Sequence, residues 1–466
     1  MLPLALRPSS PPLTCRLSNS VIHLTSVRAR GAAGVDHQPV SDTDHGVLRA
    51  RNLLIALLFF GTLINYIDRQ ILSLLKPDIE AAYGWGDAEF AHFASMSQLA
   101  AAGALIFVGL LVDKFGVRRA YGSAVAFWSL AGIAHAFAAT VGQFVGARVA
   151  LVAAEAINTP AVVKSASGYL PITRRTTALG IVNTAPNLGN ILAPLIVVPF
   201  AALYGWQAAF IVTGLLGFVW LFFWMQGTRR LQPLEREVAA DVAATPVADQ
   251  VIWRPLHIRL IMRFRNSQVA RDKRTWAIAG AKALTDMFWW FFTFWLPDLF
   301  TKVFALDQDE RAGPTALTFA LAAIGALTGG YLFPALLRRG WSVNKARKLT
   351  MLLFAIAIVP IPLALQAGNP WIAAVIIGMG LFAHQGFSTN IFGLAADAIP
   401  PARVATVMAI GAIAGNLSGF GIQEVTGKLL TSGIGYAPLF FAAAGAYLLA
   451  LLWIHLLVPT IRPAEG

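Results

Sequence analysis

Residues 53–75 read LLIALLFFGTLINYIDRQILSLL, an apolar run that contains the adjacent charges Asp68 and Arg69. A helix needs about 20 apolar residues to cross the hydrocarbon core of a bilayer, so this run is long enough to span it. A charge near the middle of such a helix costs about 2.5–3.5 kcal/mol, so the pair should face a wet cavity or each other rather than lipid. The stretch predicts a membrane protein that moves a polar solute.

The composition of the whole chain also indicates a membrane protein. Of its 466 residues, 57% are hydrophobic and 13% are charged, which is about half the charged share of a typical soluble domain. Apolar stretches of spanning length predict about twelve transmembrane helices and an all-α fold. The predicted spans are 52–76, 90–112, 119–140, 143–168, 176–203, 206–226, 275–303, 314–337, 347–366, 370–396, 404–431 and 435–458.

The net charge of +13 is distributed as a topology signal rather than as a nucleic-acid surface. Lys and Arg lie in alternate connections, between spans two and three, four and five, and eight and nine. Because these residues mark the cytoplasmic side, both termini and the central loop are predicted to lie inside. We expect anionic lipid at the basic loops and no nucleic acid partner. The single cysteine, Cys15, excludes an internal disulfide framework.

A long polar stretch, 227–274, divides the predicted spans into six and six. We therefore predict an N-terminal six-helix bundle at 52–226, a cytoplasmic central loop at 227–274 and a C-terminal six-helix bundle at 275–458. The tail at 1–51 is predicted to be disordered or to reflect an overlong translation start. A short C-terminal tail follows at 459–466.

Matching residues in corresponding places of the two halves indicate a duplicated bundle. They fall at two constant offsets, and the first copy comprises Pro77, Asp78, Arg118, Arg119, Pro171, Arg174, Thr177 and Asn187. The second copy comprises Pro297, Asp298, Arg338, Arg339, Pro400, Arg403, Thr406 and Asn416. Duplicated halves are a recurring build of secondary transporters, so we predict two pseudo-symmetric bundles that hold substrate between them and alternate its access.

Other function classes lack their signatures in this sequence. There is no Gly-Lys-Ser/Thr phosphate loop, no pair of histidines with metal spacing and no separate catalytic domain. The chain is therefore predicted not to be an enzyme and to hold no cofactor or metal. A selective channel is disfavoured because no repeated polar filter segment occurs. A drug/proton antiporter of the same build stays open as an alternative.

Residues 109–119, GLLVDKFGVRR, resemble the loop signature of the major facilitator superfamily, which links spans two and three. Gly109 and Gly116 would let two helices approach, while Asp113 can accept from backbone amides or from Arg118 and Arg119. Such a cluster can act as a latch that holds one conformation. A second copy at 330–348 keeps the basic end and has lost the acid.

Four further segments resemble the anion:cation symporter family of that superfamily. Asn65–Gln70 and Arg148–Lys164 match its first and fourth spans, while Ala283–Pro297 and Ala383–Asp397 resemble spans seven and ten of bacterial hexuronate transporters. This resemblance implies proton-coupled import of glucuronate, galacturonate or a related sugar-acid anion by a monomer in a bacterial inner membrane. Another organic anion as substrate and Na⁺ as coupling ion stay open.

The chemistry of these segments suits a polyhydroxylated acid. Arg69 offers a planar, permanently charged fork that fits a carboxylate, and Tyr66 can donate a hydrogen bond to it. Amides and a hydroxyl in span ten, with aromatic walls from span seven, would hold hydroxyl groups. The predicted substrate-binding residues are Tyr66, Arg69, Asn187, Trp290, His384, Gln385, Ser388, Asn390 and Asn416.

The resemblance also implies a coupling group. Asp68 and Glu155 would be the titrating pair, and Arg148 lies two helical turns before Glu155, so both can share one face. The alternative is that these charges form static ion pairs. Ala101 and Leu105 stand where the resemblance implies a Tyr and a Gln, which predicts a larger or less hydroxylated acid.

Overall fold

The computed structural model describes residues 45–170, 172–231, 268–399 and 401–461. The chain divides into two units, Met1–Arg49 and Ala50–Gly466, and the contacts given below all lie in the second. The described residues form helices and connections, with no strand among them, which confirms the all-α prediction. Most of the predicted N-terminal tail and central loop lies outside these ranges, so the domain boundaries stay predictions.

The helices of the first half follow the predicted spans, with interruptions. They are α1 His45–Leu74, α2 Lys76–Tyr83, α3 Asp87–Phe115, α4 Val117–His135, α5 Val141–Glu155, α6 Asn158–Tyr169, α7 Ile172–Val182, α8 Ala185–Tyr204 and α9 Trp206–Gly227. A 3₁₀ turn, Thr228–Leu231, follows α9.

The second half contains fewer and longer helices. They are α10 Gln268–Arg271, α11 Lys273–Phe304, α12 Ala312–Arg338, α13 Val343–Ala357, α14 Pro370–Ala398, α15 Pro401–Thr431 and α16 Ala437–Leu457. A 3₁₀ helix, Ile361–Gln366, continues the course of α13.

Every predicted span coincides with helix, and in the described part 9 helical segments are long and apolar enough to cross a membrane. The remaining three predicted spans coincide with α4, α11 and α15; α4 has two arginines in its first turn and α11 holds six Lys, Arg or Asp residues. Helices α11 and α15 pack against each other, and α4 packs between α5 and α9. A helix that turns part of its surface toward neighbouring helices need not be apolar all round.

Two predicted spans of the first half are each divided into two helices. Helix α5 ends at Glu155, and α6 restarts at Asn158 with Pro160 in its first turn. Helix α7 ends at Val182, and α8 restarts at Ala185 with Pro186 near its start. Proline is favoured in the first turn of a helix because its missing N–H has no partner there. Interrupted helices are also characteristic of transporter binding sites.

The two halves meet along two pairs of helices. Helix α3 packs against α15, and α8 packs against α12. Within the second half, α12 and α14 approach so closely that a Cβ added to Gly329 would lie 2.7 Å from the Gly386 Cα. Small residues thus bring backbones together, as is common between helices in membranes.

Candidate functional site

Arg69 lies at the meeting point of the two halves. Its Nε donates to Glu155 Oε2 at 3.2 Å, and its side chain is 19% exposed whereas that of Glu155 is 0% exposed. The guanidinium also lies over the rings of Tyr66, at 5.3 Å, and Trp290, at 5.9 Å. Arg69 therefore joins α1 and α5 of the first half to α11 of the second.

A second guanidinium lies beneath this pair. Arg148 is 1% exposed, and its Nε donates to Ser97 Oγ at 3.0 Å while its Nη2 donates to the Arg69 carbonyl at 3.5 Å. Asp68 is also buried, within electrostatic reach of Arg148 and Glu155. Four predicted charges thus lie in one cluster, where the ion-pair partner of Glu155 is Arg69 of α1.

Several buried polar atoms of this cluster lack a hydrogen-bond partner among the described residues. They include Glu155 Oε1, Arg148 Nη1 and both amide atoms of Asn65. Buried polar groups are normally paired with protein or water. Their presence beside Arg69 marks a region with spare donors and acceptors, as a site for a polar solute requires.

Gln98 of α3 was not predicted, although it stands among small residues in a predicted span. It is 3% exposed and its Oε1 lacks a partner within the described ranges. A Cβ on Gly419 would lie 3.2 Å from both Gln98 Cγ and Trp290 Cγ, so the amide lies beside the ring that Arg69 contacts. A polar side chain in the middle of an apolar span was the signal that could have identified it.

The aromatic side of the site belongs to the second half. Trp289 stacks on His384, with ring centroids 5.0 Å apart. His384 Nδ1 is 2.8 Å from Tyr447 Oη, and His384 is 4% exposed. The structure therefore places His384 in a packed aromatic cluster between α11, α14 and α16.

An ion pair in α11 was also missed by the sequence reasoning. Lys282 Nζ lies 2.7 Å from Asp286 Oδ2, and the two side chains are 8% and 14% exposed. Charges inside a predicted span gave the same signal that identified Asp68 and Arg69.

The other predicted substrate-binding residues are not tied to Arg69 by any described contact. Asn187 and Gln385 are half-buried, and Ser388 is buried. Asn390 accepts from Arg347 Nη1 at 3.0 Å and donates to the Gly386 carbonyl at 2.8 Å. Asn416 donates to the carbonyl of Ala412, four residues earlier in α15, at 2.8 Å. Their roles in substrate binding stay predictions.

The predicted latch lies at the connection between α3 and α4. Gly116, with φ of 73°, connects the two helices in a conformation that favours glycine. Arg118 Nη2 donates to the Met225 carbonyl at 2.9 Å and ties the turn to α9, while Arg119 is exposed. Gly109 lies in α3, and the side chain of Asp113 lies outside the described part.

In the second half, an acid from elsewhere completes the corresponding basic cluster. Arg347 Nη2 lies 2.5 Å from Asp397 Oδ2, and its guanidinium covers the Phe333 ring at 3.4 Å. The acid missing from the second copy of the loop signature is thus supplied by α14.

Charged residues close one end of the interface between the halves. Lys76 is fully buried and lies 2.6 Å from Asp298 Oδ1, 2.8 Å from Asp87 Oδ1 and 2.9 Å from Glu80 Oε1. Lys302 lies 3.1 Å from Asp298 Oδ2 and also contacts Asp87. We call these five side chains the outer network, because their connections are predicted to face outward.

Further bonds across the halves surround the outer network. Arg311 Nη2 donates to the Leu74 carbonyl at 2.7 Å, and Gln308 Nε2 donates to Asp78 Oδ2 at 2.9 Å. Burial raises the pKa of the Asp78 carboxyl even though Arg311 and Gln308 oppose that rise. Burial likewise raises the pKa of Glu80 against the effect of Lys76. The two bonds between the halves thus flank the outer network.

Helices that span a membrane in two halves and enclose a cluster of charges are the structure of a solute carrier. The chain belongs to the Major Facilitator Superfamily, whose family model matches residues 58–422. It is therefore an integral membrane transport protein and not an enzyme.

Known proteins resemble this chain along most of its length. The Hexuronate transporter of Escherichia coli (strain K12) is 27% identical over 423 residues, which cover 88% of this chain and 95% of that protein. The Galacturonate transporter of Dickeya chrysanthemi is 26% identical over 315 residues, which cover 66% of this chain and 88% of that protein. A solved bacterial homolog of the human lysosomal transporter Spinster has the same fold, with a TM-score of 0.66, 16% identity, and coverage of 89% of this chain and 99% of that one.

Proposed function

We propose that this protein imports a sugar-acid anion together with protons, by alternating access, across the inner membrane of a bacterium. Both termini would be cytoplasmic and a monomer would suffice. The observation that carries the proposal is Arg69, which is held by Glu155 and faces Trp290 of the other half. The names of the relatives, a hexuronate and a galacturonate transporter, support the substrate class.

Charge balance explains how substrate and proton would be coupled. Asp68, Arg69, Arg148 and Glu155 sum to zero when all are ionised, so a bound carboxylate adds an uncompensated negative charge. Protonation of Glu155 would release Arg69 from its ion pair and restore the balance. An Arg fork binds a carboxylate through two parallel N–H donors. The substrate carboxylate would thus replace Glu155 as the partner of Arg69 only when a proton is present.

The closed outer network supports alternation between two conformations. It joins the halves at one end, while Arg69 keeps 19% of its side chain exposed. An outward-open state would have to break these ion pairs. The drug/proton antiporter alternative is disfavoured, because a cationic drug would meet Arg69 as a like charge.

The test is uptake of labelled glucuronate into proteoliposomes with an imposed inward proton gradient. Wild type is expected to accumulate substrate only with the gradient, and a Na⁺ gradient alone should give none. Arg69→Ala should lose uptake, whereas Glu155→Gln should keep exchange of substrate but lose its dependence on the gradient. The exposed Arg229→Ala and Asp309→Asn are matched controls and should behave as wild type.

Each failure has its own meaning. If folded wild type transports no sugar acid, the substrate class is wrong. If a Na⁺ gradient drives uptake, the coupling ion is wrong. Gradient-driven uptake that persists in Glu155→Gln would remove that residue from the coupling role.

A further inference from the structure

A row of three side chains on α11 leads away from Arg69. They are spaced four residues apart, so they share one face of the helix. The row consists of Lys282, Asp286 and Trp290. Trp290 is the ring beneath the Arg69 guanidinium. Lys282 is eight residues nearer the start of α11, which corresponds to about 12 Å along the helix axis.

Helix α15 faces this row with three glycines at the same spacing. The glycines are Gly411, Gly415 and Gly419. A Cβ added to them would lie 2.9 Å from Lys282 Cδ, 2.4 Å from Asp286 Oδ2 and 2.7 Å from Trp290 Cδ1, respectively. Each of these distances is too short for a real contact. The row therefore occupies space that is free because these three residues of α15 are glycines.

Lys282 and Asp286 form an ion pair inside a predicted span. The Lys282 Nζ and Asp286 Oδ2 atoms are 2.7 Å apart, and the two side chains are 8% and 14% exposed. The Lys282 ammonium also lies 5.3 Å from the centre of the Phe392 ring. Ionisable groups in a membrane span normally line a solute pathway or pair with each other, and these two pair on the helix face that also carries Trp290.

We propose that Lys282 is a second anion-binding residue, which takes the substrate carboxylate from Arg69 on its way to the cytoplasm. The inference rests on the proposed function and deepens it. Lys282 lies toward the predicted cytoplasmic end of α11. Asp286 holds the ammonium while no substrate is near, in the way that Glu155 holds Arg69. The carboxylate would displace Asp286 and then leave for the inner solution.

This role predicts an effect on one side of the membrane. Lys282→Met is expected to raise the KM for efflux of glucuronate, measured from the inner side, by about tenfold, because a charge-assisted bond is lost. The KM for uptake, measured from the outer side, should change by less than about twofold, because Arg69 still captures the substrate there. Asp286→Asn should lower the inner KM, since it frees Lys282. Lys345→Met, at an exposed position, is the control.

A purely structural ion pair would give a different result. The double variant Lys282→Met/Asp286→Leu removes both charges together. It leaves neither residue as an unpaired charge in the membrane, so we expect it to fold. An anion-binding Lys282 predicts that its inner KM stays raised, whereas a structural pair predicts recovery to the wild-type value. An unchanged inner KM in Lys282→Met, or a raised one in Asp286→Asn, would also overturn the proposal. Failure of wild type to transport any sugar acid would instead refute the proposed function.

Discussion

Arg69 does more than supply a positive charge. Its planar guanidinium donates to Glu155 through Nε and lies over two aromatic rings. A lysine ammonium keeps the charge but cannot form the fork or stack on both rings. We therefore expect Arg69→Lys to raise the KM for sugar acid by about tenfold or more, equivalent to about 1–3 kcal/mol of lost hydrogen bonding. Uptake kinetics at saturating proton gradient would measure it, with Arg229→Lys as control, and an unchanged KM would mean that charge alone suffices.

Asn158 holds three helices together at the break between α5 and α6. Tyr121 Oη donates to Asn158 Oδ1 at 2.5 Å, and Asn158 Nδ2 lies 3.3 Å from Thr62 Oγ1. Asn158→Ala would leave two buried hydroxyls without this partner, so we expect the free energy of unfolding to fall by about 1–3 kcal/mol. Thermal unfolding in detergent would record a lower Tm. The exposed Asn183→Ala should leave Tm unchanged, and equal Tm values for the two variants would contradict the prediction.

The sequence indicated individual charged candidates better than it indicated their partners. A charge inside an apolar run can be recognised from the sequence alone, so Asp68, Arg69 and Glu155 could be selected as candidate site residues. That Glu155 pairs with Arg69 of α1 depends on how α1 and α5 pack, which no local pattern encodes. Asn390 was predicted to bind substrate because amides suit sugars, and that role stays a prediction; the sequence did not indicate that its amide contacts Arg347 and the carbonyls of Gly329 and Gly386.

At the scale of helices, neighbouring glycines in α12 differ sharply in their surroundings. A Cβ on Gly329 would lie 2.7 Å from the Gly386 Cα, whereas a Cβ on Gly330 would have nothing within 4 Å. Gly329→Ala should therefore force α12 and α14 apart and cost about 1–3 kcal/mol of stability. Gly330→Ala is its matched control, because it makes the same chemical change one residue away.

Thermal unfolding of the two variants, followed by size-exclusion chromatography in detergent, would measure this difference. We expect a lower Tm and less monodisperse protein for Gly329→Ala alone. Similar destabilisation by Gly330→Ala would show that helix-wide effects, rather than the contact with Gly386, decide the outcome.

The positions of helices followed from the sequence, whereas their interruptions did not. Apolar run length predicted twelve spans, because the bilayer fixes the length that a helix must have; all twelve coincide with helix, and nine segments of the described part are long and apolar enough to cross a membrane. The breaks after Glu155 and Val182 are short turns within apolar stretches, so hydropathy passes over them. Pro160 and Pro186 were the local signals, since proline is accommodated most easily where a helix begins.

At the scale of the whole molecule, Lys76 links the two halves at one end. It is shared by three carboxylates from both halves, and its removal would leave these like charges close together. Breaking a buried pair by removing one partner costs about 3–5 kcal/mol. We expect Lys76→Met to shift the population toward an outward-open state.

Cysteine labelling from outside would measure this shift. In a Cys15→Ser background, Ser73→Cys places a thiol at a fully buried position beside Phe294 of the other half. A membrane-impermeant maleimide should react with it at least about tenfold faster when Lys76→Met is present. Lys345→Met should leave the rate unchanged. Equal rates in all three proteins would mean that the outer network does not control opening.

The outer network also bears on how the cell keeps its proton gradient. A carrier that exposes acidic groups to protons on both sides at once would short-circuit the membrane, draining the electrochemical gradient without moving any cargo. Lys76 and its partners join the halves at one end, while Arg69, the partner of Glu155, keeps 19% of its side chain exposed. Ion pairs between the halves can separate when the halves move apart and form again when they return, so this network suits a closure that must be reversible.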